Sequence, residues 1–102
     1  MPDETTPDEL AELLDEEDVT VLDIRDAHAY RQGHIPGTDS LPLNDMDDDV
    51  LGREWPARIV LIDYDGEVAP SAASKLTERL DAQVSALAGG MSSWDGELEA
   101  DF

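Results

Sequence analysis

Three short blocks of apolar, largely β-branched residues constrain this chain more than anything else in it. They are Val19-Thr20-Val21-Leu22-Asp23-Ile24, Arg58-Ile59-Val60-Leu61-Ile62 and Val84-Ser85-Ala86-Leu87. Runs of this kind, without strict alternation of polar and apolar positions, suit strands covered on both faces. Helical patterns separate them. Thr6-Pro7-Asp8-Glu9 has the form of a capping box, with Thr6 as N-cap, Pro7 in the first turn and Glu9 reaching back. Leu10, Leu13 and Leu14 then share one face. A short helix is expected over 26–31 with Asp26 as its cap, a weak acidic one over 44–52, and a clear one from Pro70 to Leu80 with Ala72, Ala73, Leu76 and Leu80 on one side. Ser40-Leu41-Pro42-Leu43 is at most a short strand, Met91 to Asp95 a helical turn carrying Trp94, and the tail from Glu97 to Phe102 is expected to be loose.

Helices alternating with apolar strands predict an α/β fold of three layers, a short parallel sheet flanked by helices on both faces. Right-handed crossovers gather the loops at the strands' carboxyl ends on one edge, where sites of open α/β sheets lie. The loop after Ile62 belongs to that edge. No repeat or linker interrupts the pattern, so one domain is expected over 1–102, with its core at about 6–95.

Composition excludes several functions. The 102 residues include no cysteine, which rules out disulfides, thiolate metal sites and a thiol nucleophile. No apolar run is long enough to cross a bilayer, and the start, Met1-Pro2-Asp3-Glu4, is acidic where a secretory signal is basic; a cytoplasmic location is expected. Asp and Glu number 26 against 6 Lys and Arg, a formal net charge of −20, and Lys75 is the one lysine. Without a basic patch to release counterions from phosphates, nucleic acid is not an expected partner. Like charge at this density opposes the compact state in dilute buffer, whereas at about 1 M salt the Debye length falls to roughly 3 Å. With 40% apolar residues in periodic blocks the chain is not of disordered composition. It reads as a halophile's protein that needs high salt to fold and is expected to be monomeric.

Four elements, in order, resemble the rhodanese family. Asp23-Ile24-Arg25 after a strand is similar to its Asp-x-Arg element. Tyr30 followed by Gly33-His34-Ile35-Pro36-Gly37, continued by Leu41-Pro42, resembles its Tyr-x-x-Gly-His-Ile-Pro-Gly signature. Ala86-Leu87-Ala88-Gly89-Gly90 with Trp94 resembles its terminal Gly-Gly-x-x-x-Trp. The family's sulfur transfer uses a cysteine at the end of the central strand, opening a Cys-x-x-Gly-x-Arg-Ser loop that leads into a helix. On that pattern Gly66 takes the glycine position, Asp63 the cysteine position, Val68 the arginine position and Ala69 the serine position. The resemblance thus implies a site-equivalent loop of Asp63, Tyr64, Asp65, Gly66, Glu67, Val68 and Ala69, with Asp23, Arg25, Gly33 and His34 as supporting motif residues and no catalytic residue.

Backbone N–H groups of such a loop and of the helix behind it converge on an anion. A carboxylate cannot carry a sulfane sulfur as a persulfide, and Asp63, Asp65 and Glu67 should repel a dianion such as thiosulfate. The resemblance further implies that His34 bonds neighbouring backbone and that Arg25 braces the loops against a carboxylate; His28 is expected at the surface, and Trp55 and Trp94 in packing.

Two alternatives attach to the same loop. Ile59-Val60-Leu61-Ile62-Asp63-Tyr64-Asp65-Gly66 also resembles the first motif of haloacid-dehalogenase-type phosphatases, in which the first Asp attacks phosphorus beside Mg²⁺. Glu67 stands where Thr is usual there, and too little chain follows for the remaining motifs, since a βαβ crossover alone takes about 30 residues. Asp63, Asp65 and Glu67 could alternatively offer oxygen ligands to a hard cation, although Asp and Gly equally suit a plain loop. No cofactor is expected. Three readings follow: a non-catalytic module that binds a protein partner or small ligand at this loop, a metal-dependent hydrolase using Asp63, and an accessory in sulfur relay whose thiol is supplied by a partner.

Overall fold

The computed structural model describes residues 3–100. Five parallel strands form one sheet in the order β1-β5-β4-β2-β3: β1 is Asp3–Thr5, β2 Val19–Asp23, β3 Asp39–Ser40, β4 Arg58–Ile62 and β5 Gln83–Leu87. Helices α1 (Pro7–Leu13), α2 (Ala27–Gln32), α3 (Asp48–Leu51) and α4 (Ala69–Arg79) connect them, with 3₁₀ turns at Leu43–Asp45 and Gly90–Ser93. The three-layer α/β architecture is as the alternation of patterns predicts.

Strand β4 lies at the centre, and Ile59, Val60, Leu61 and Ile62 are wholly buried. Its side chains divide by parity, as the two-residue period of a strand requires. Ile59 and Leu61 join Leu22, Ile24, Val84 and Ala86 under Ala69, Ala72, Ala73 and Leu76 of α4. Val60 and Ile62 join Val21, Leu87 and Ile35 under Leu10 of α1, with Trp94 packed at the margin. Trp55 packs against the α4 side.

Helix α1 is capped as its sequence specifies: Thr6 Oγ1 accepts from Glu9 N (3.2 Å), and Glu9 Oε1 accepts from Thr6 N (3.2 Å). Asp26 caps α2 through Ala29 N (2.8 Å), and Asp47 caps α3 through Val50 N (3.0 Å). So one residue of the Asp47-Asp48-Asp49 run is a cap, and Asp48 pairs with Arg79 (2.8 Å).

Four expectations shift, the first being the weak helix over 44–52, which divides into the 3₁₀ turn Leu43–Asp45 and α3 Asp48–Leu51. Strand β1 is additional to the expected set: Asp-Glu-Thr has little strand propensity, and it is held by pairing with β5, where Thr5 Oγ1 meets Ser85 Oγ at 2.7 Å. The strand expected over 40–43 lies at Asp39–Ser40, because Pro42 cannot donate to a ladder. The tail is tied rather than loose as far as it is described: Glu99 and His34 exchange both backbone hydrogen bonds at 2.8 Å, and Trp94 Nε1 donates to the Glu97 carbonyl (3.1 Å). The rest of the expected tail, 101–102, and the start Met1-Pro2 lie outside the described residues. Among the described residues no helix is long and apolar enough to cross a membrane.

Candidate functional site

The carboxyl end of β4 delivers the chain into a loop that leads to α4. Asp63 follows the strand directly and is 2% exposed. Its carbonyl accepts from Met91 N (2.8 Å) and that of Tyr64 from Ser92 N (3.0 Å), so the loop is fastened to the turn after β5. This seating explains Gly89-Gly90. Gly90 has φ +59, and a Cβ there would lie 2.7 Å from Asp65 N and 2.8 Å from the Asp63 carbonyl oxygen. Gly66, with φ +85, rests against Gly89, whose nitrogen a Cβ would meet at 2.8 Å. Only glycine allows both the backbone conformation and the approach.

The loop then wraps its own first side chain. Asp63 Oδ1 accepts from Gly66 N (2.7 Å); Oδ2 accepts from Val68 N (2.8 Å) and Ala69 N (2.7 Å). Ala69 opens α4, and Pro70 behind it has no N–H to offer. Loop amides and a helix N-terminus thus converge on one point, as an anion cradle requires, and the anion in it is the protein's own carboxylate. Both of its oxygens accept from backbone donors, one bond to Oδ1 and two to Oδ2.

Asp65 and Glu67 do face outward. Asp65 Oδ1 accepts from Glu67 N (3.1 Å) in a local turn, and both residues are exposed. Asp63, Asp65 and Glu67 are therefore not brought together as a ligand set, and no group of three potential metal ligands occurs among the described residues.

The neighbouring loop after β2 carries the supporting motif. Asp23 is fully buried and binds Arg25 through Nε (2.9 Å) and Nη2 (2.7 Å), while Arg25 Nη2 also reaches the Gly33 carbonyl (2.8 Å). His34, 3% exposed, places Nδ1 2.8 Å from the Tyr30 carbonyl and stacks on the Tyr30 ring at 3.9 Å. Because a carbonyl only accepts, Nδ1 carries the proton in that bond. His28 is exposed.

Arg25, Asp26 and Tyr64 are each named by the sequence, but their contacts with one another are not. The Tyr64 hydroxyl donates to Asp26 Oδ2 (2.7 Å), and Arg25 Cζ lies 5.7 Å from the Tyr64 ring centre. The Tyr64 hydroxyl, then the Ala29 N–H, hold the Asp26 carboxyl below its ordinary value, and Asp26 holds the Tyr64 phenol above its own. Asp26 was legible as a cap, but its second oxygen answers to a residue 38 positions away. Beside the loop, Leu43, Glu67, Val68, Ser71, Ala72 and Lys75 line a cavity of about 440 Å³. Leu43, Tyr64 and Val68 are 40, 51 and 48% exposed, so three of the four exposed large apolar residues among those described surround this loop.

Comparison with known proteins agrees with this geometry. The family model described as "Rhodanese-like domain" matches residues 6–97. The thiosulfate sulfurtransferase GlpE of Pseudoalteromonas translucida is 37% identical over 84 residues, which cover 82% of this chain and 80% of that protein. Among solved structures, the Alr3790 protein from Anabaena sp. superposes with a TM-score of 0.83 at 28% identity, over 96% of this chain and 81% of that one. A rhodanese-like domain protein from Staphylococcus aureus superposes with a TM-score of 0.79 over 98% of this chain and 99% of that one, at 22% identity, a likeness of fold alone.

Proposed function

The chain belongs to the rhodanese-like domain family, and we propose that it is a member without sulfur-transfer chemistry, acting as a binding module through the loop edge around Asp63 to Val68. One observation carries the reading. The N–H cradle at the end of β4 is filled by the Asp63 carboxylate, at the position where the family resemblance puts the cysteine. A carboxylate forms no persulfide, and no other residue of this sequence supplies a thiol. The relatives' thiosulfate sulfurtransferase activity is accordingly assigned to the fold's other members and not to this chain acting alone.

What the edge offers is a surface. Tyr64, Asp65, Glu67 and Val68 project from a loop whose backbone is fixed from within, a pre-organised platform that loses little entropy on binding. The partner's identity separates a regulator from an accessory in sulfur relay that docks a thiol-bearing protein. The test is affinity capture at molar salt with the wild-type chain beside one carrying Tyr64→Ser, Glu67→Gln and Val68→Ser. A partner held by the first and released by the second is expected; equal capture removes the role from this edge. Transfer of sulfur from thiosulfate to cyanide by the purified chain would overturn the non-catalytic reading.

The same proposal includes a saline cytoplasm and a monomer. The excess of 26 acidic over 6 basic residues supports it, since that repulsion is screened only at high ionic strength. Far-ultraviolet circular dichroism is expected to lose its folded signal as KCl falls below about 1 M. A full signal in dilute buffer would remove the salt requirement.

A further inference from the structure

We propose that the cavity beside the loop is a site for a small organic monoanion with an apolar body, its head group held by Lys75 and Ser71. The inference rests on the reading of this edge as a binding surface and gives it a ligand class.

The cavity's volume of about 440 Å³ is that of a small-molecule pocket. Its apolar part is made by Leu43, Val68 and Ala72, and Leu43 and Val68 remain 40 and 48% exposed. A ligand's hydrocarbon would remove this surface from water.

The polar part is made by Lys75, Ser71 and Glu67. Lys75 is the single lysine in a sequence with 26 carboxylates, yet it pairs with none among the described residues. Lys75 lines the same cavity as Leu43, Val68 and Ala72. Ser71 lies one turn earlier on α4, on the same face at i and i+4, and also lines the cavity. An ammonium and a hydroxyl above hydrocarbon select a carboxylate or sulfonate carrying a short alkyl or aryl group. Glu67, which also lines the cavity, and the net charge of −20 select against dianions.

The experiment titrates the isotope-labelled chain in about 2 M KCl, where surface fields are screened, with hexanoate, hexan-1-ol and hexylammonium as probes. Amide shifts of Ser71, Ala72 and Lys75 and methyl shifts of Leu43 and Val68 are followed. Hexanoate is expected to bind about fivefold tighter than hexanol, and hexylammonium weakest, the scale of one exposed charge-assisted contact. In Lys75→Gln the affinity for hexanoate should fall about fivefold while that for hexanol holds, and Lys75→Arg should recover most of it. Unchanged hexanoate affinity in Lys75→Gln, or tighter binding of hexylammonium, would overturn the assignment of the head group. The absence of localised shifts with every probe would overturn the site. None of these outcomes touches the non-catalytic reading, which fails separately, on sulfur transfer measured with the same preparation.

Discussion

Two buried carboxylates stand side by side at the carboxyl edge of the sheet, and they are satisfied in opposite ways. Asp23 pairs in register with Ile62, so Asp63 lies one residue beyond it on the next strand. Asp23 meets a cation two residues along the chain, Arg25, in a two-pronged salt bridge. Asp63 meets no cation; three backbone amides of its own loop neutralise it. The first charge is balanced by a partner that can be read from the sequence. The second is balanced by dipoles that exist only once the loop has folded, and it in turn holds that loop in place. A salt bridge at this edge braces two elements, whereas the carboxylate after β4 defines one.

Removing each charge separates the two modes. Asp23→Ala leaves Arg25, 9% exposed, without its counter-charge, and chemical unfolding at constant KCl should show a loss of about 3–5 kcal/mol. Asp63→Ala leaves three amides without an acceptor; about 2–3 kcal/mol is expected, with raised hydrogen exchange confined to Gly66, Val68 and Ala69. Asp63→Asn should cost nearly as much, because its NH₂ group would face donors, and a neutral outcome would break the dipole account. Gly90→Ala attacks the seat of the same loop. A side chain at φ +59 in contact with the Asp63 and Asp65 backbone should destabilise by about 1–3 kcal/mol and disturb the loop without touching the Asp23–Arg25 pair. Thr6→Ala, remote from both, calibrates the series at about 1 kcal/mol.

The smallest effect is in titration, where Asp26 and Tyr64 link the two loops. The folded Asp26 carboxyl lies below its ordinary 3.8, so its contribution is complete above that value and is lost as pH falls through the folded one. The folded Tyr64 phenol lies above its ordinary 10.0, so its contribution is complete below 10.0 and is lost as pH rises through the folded value. Phenolate absorbance in Asp26→Asn should show Tyr64 ionising nearer to its ordinary value than in the wild type.

What could be read in advance follows the same division. The central strands, the caps Thr6 and Asp26, and the helix of Ala72, Ala73 and Leu76 are specified by neighbours in sequence, and they appear where their patterns put them. Strand β1 could not be read, because Asp-Glu-Thr becomes a strand only through the exposed edge of β5. The position of Asp63 in its loop was legible, but the direction of its side chain was not: nothing in Asp-Tyr-Asp-Gly-Glu distinguishes a carboxylate turned to solvent from one turned onto its own amides. The use of Gly89 and Gly90 as the seat of that loop was likewise hidden, since the contact joins the ends of two strands that are distant in sequence.

The outer strands of the sheet bear on a different matter, the behaviour of many copies at once. In concentrated salt a net charge of −20 no longer holds neighbouring molecules apart, and apolar association strengthens. Open strand edges then become the surfaces on which chains stack into aggregates. Here the outermost strands are β1, three residues long, and β3, two residues long; β4 lies between β2 and β5, while β3 pairs only with Leu22 and Asp23 of β2 and β1 only with Ser85, Ala86 and Leu87 of β5. Among the described residues the bordering strands are thus short, which limits the length of backbone that each offers to another chain.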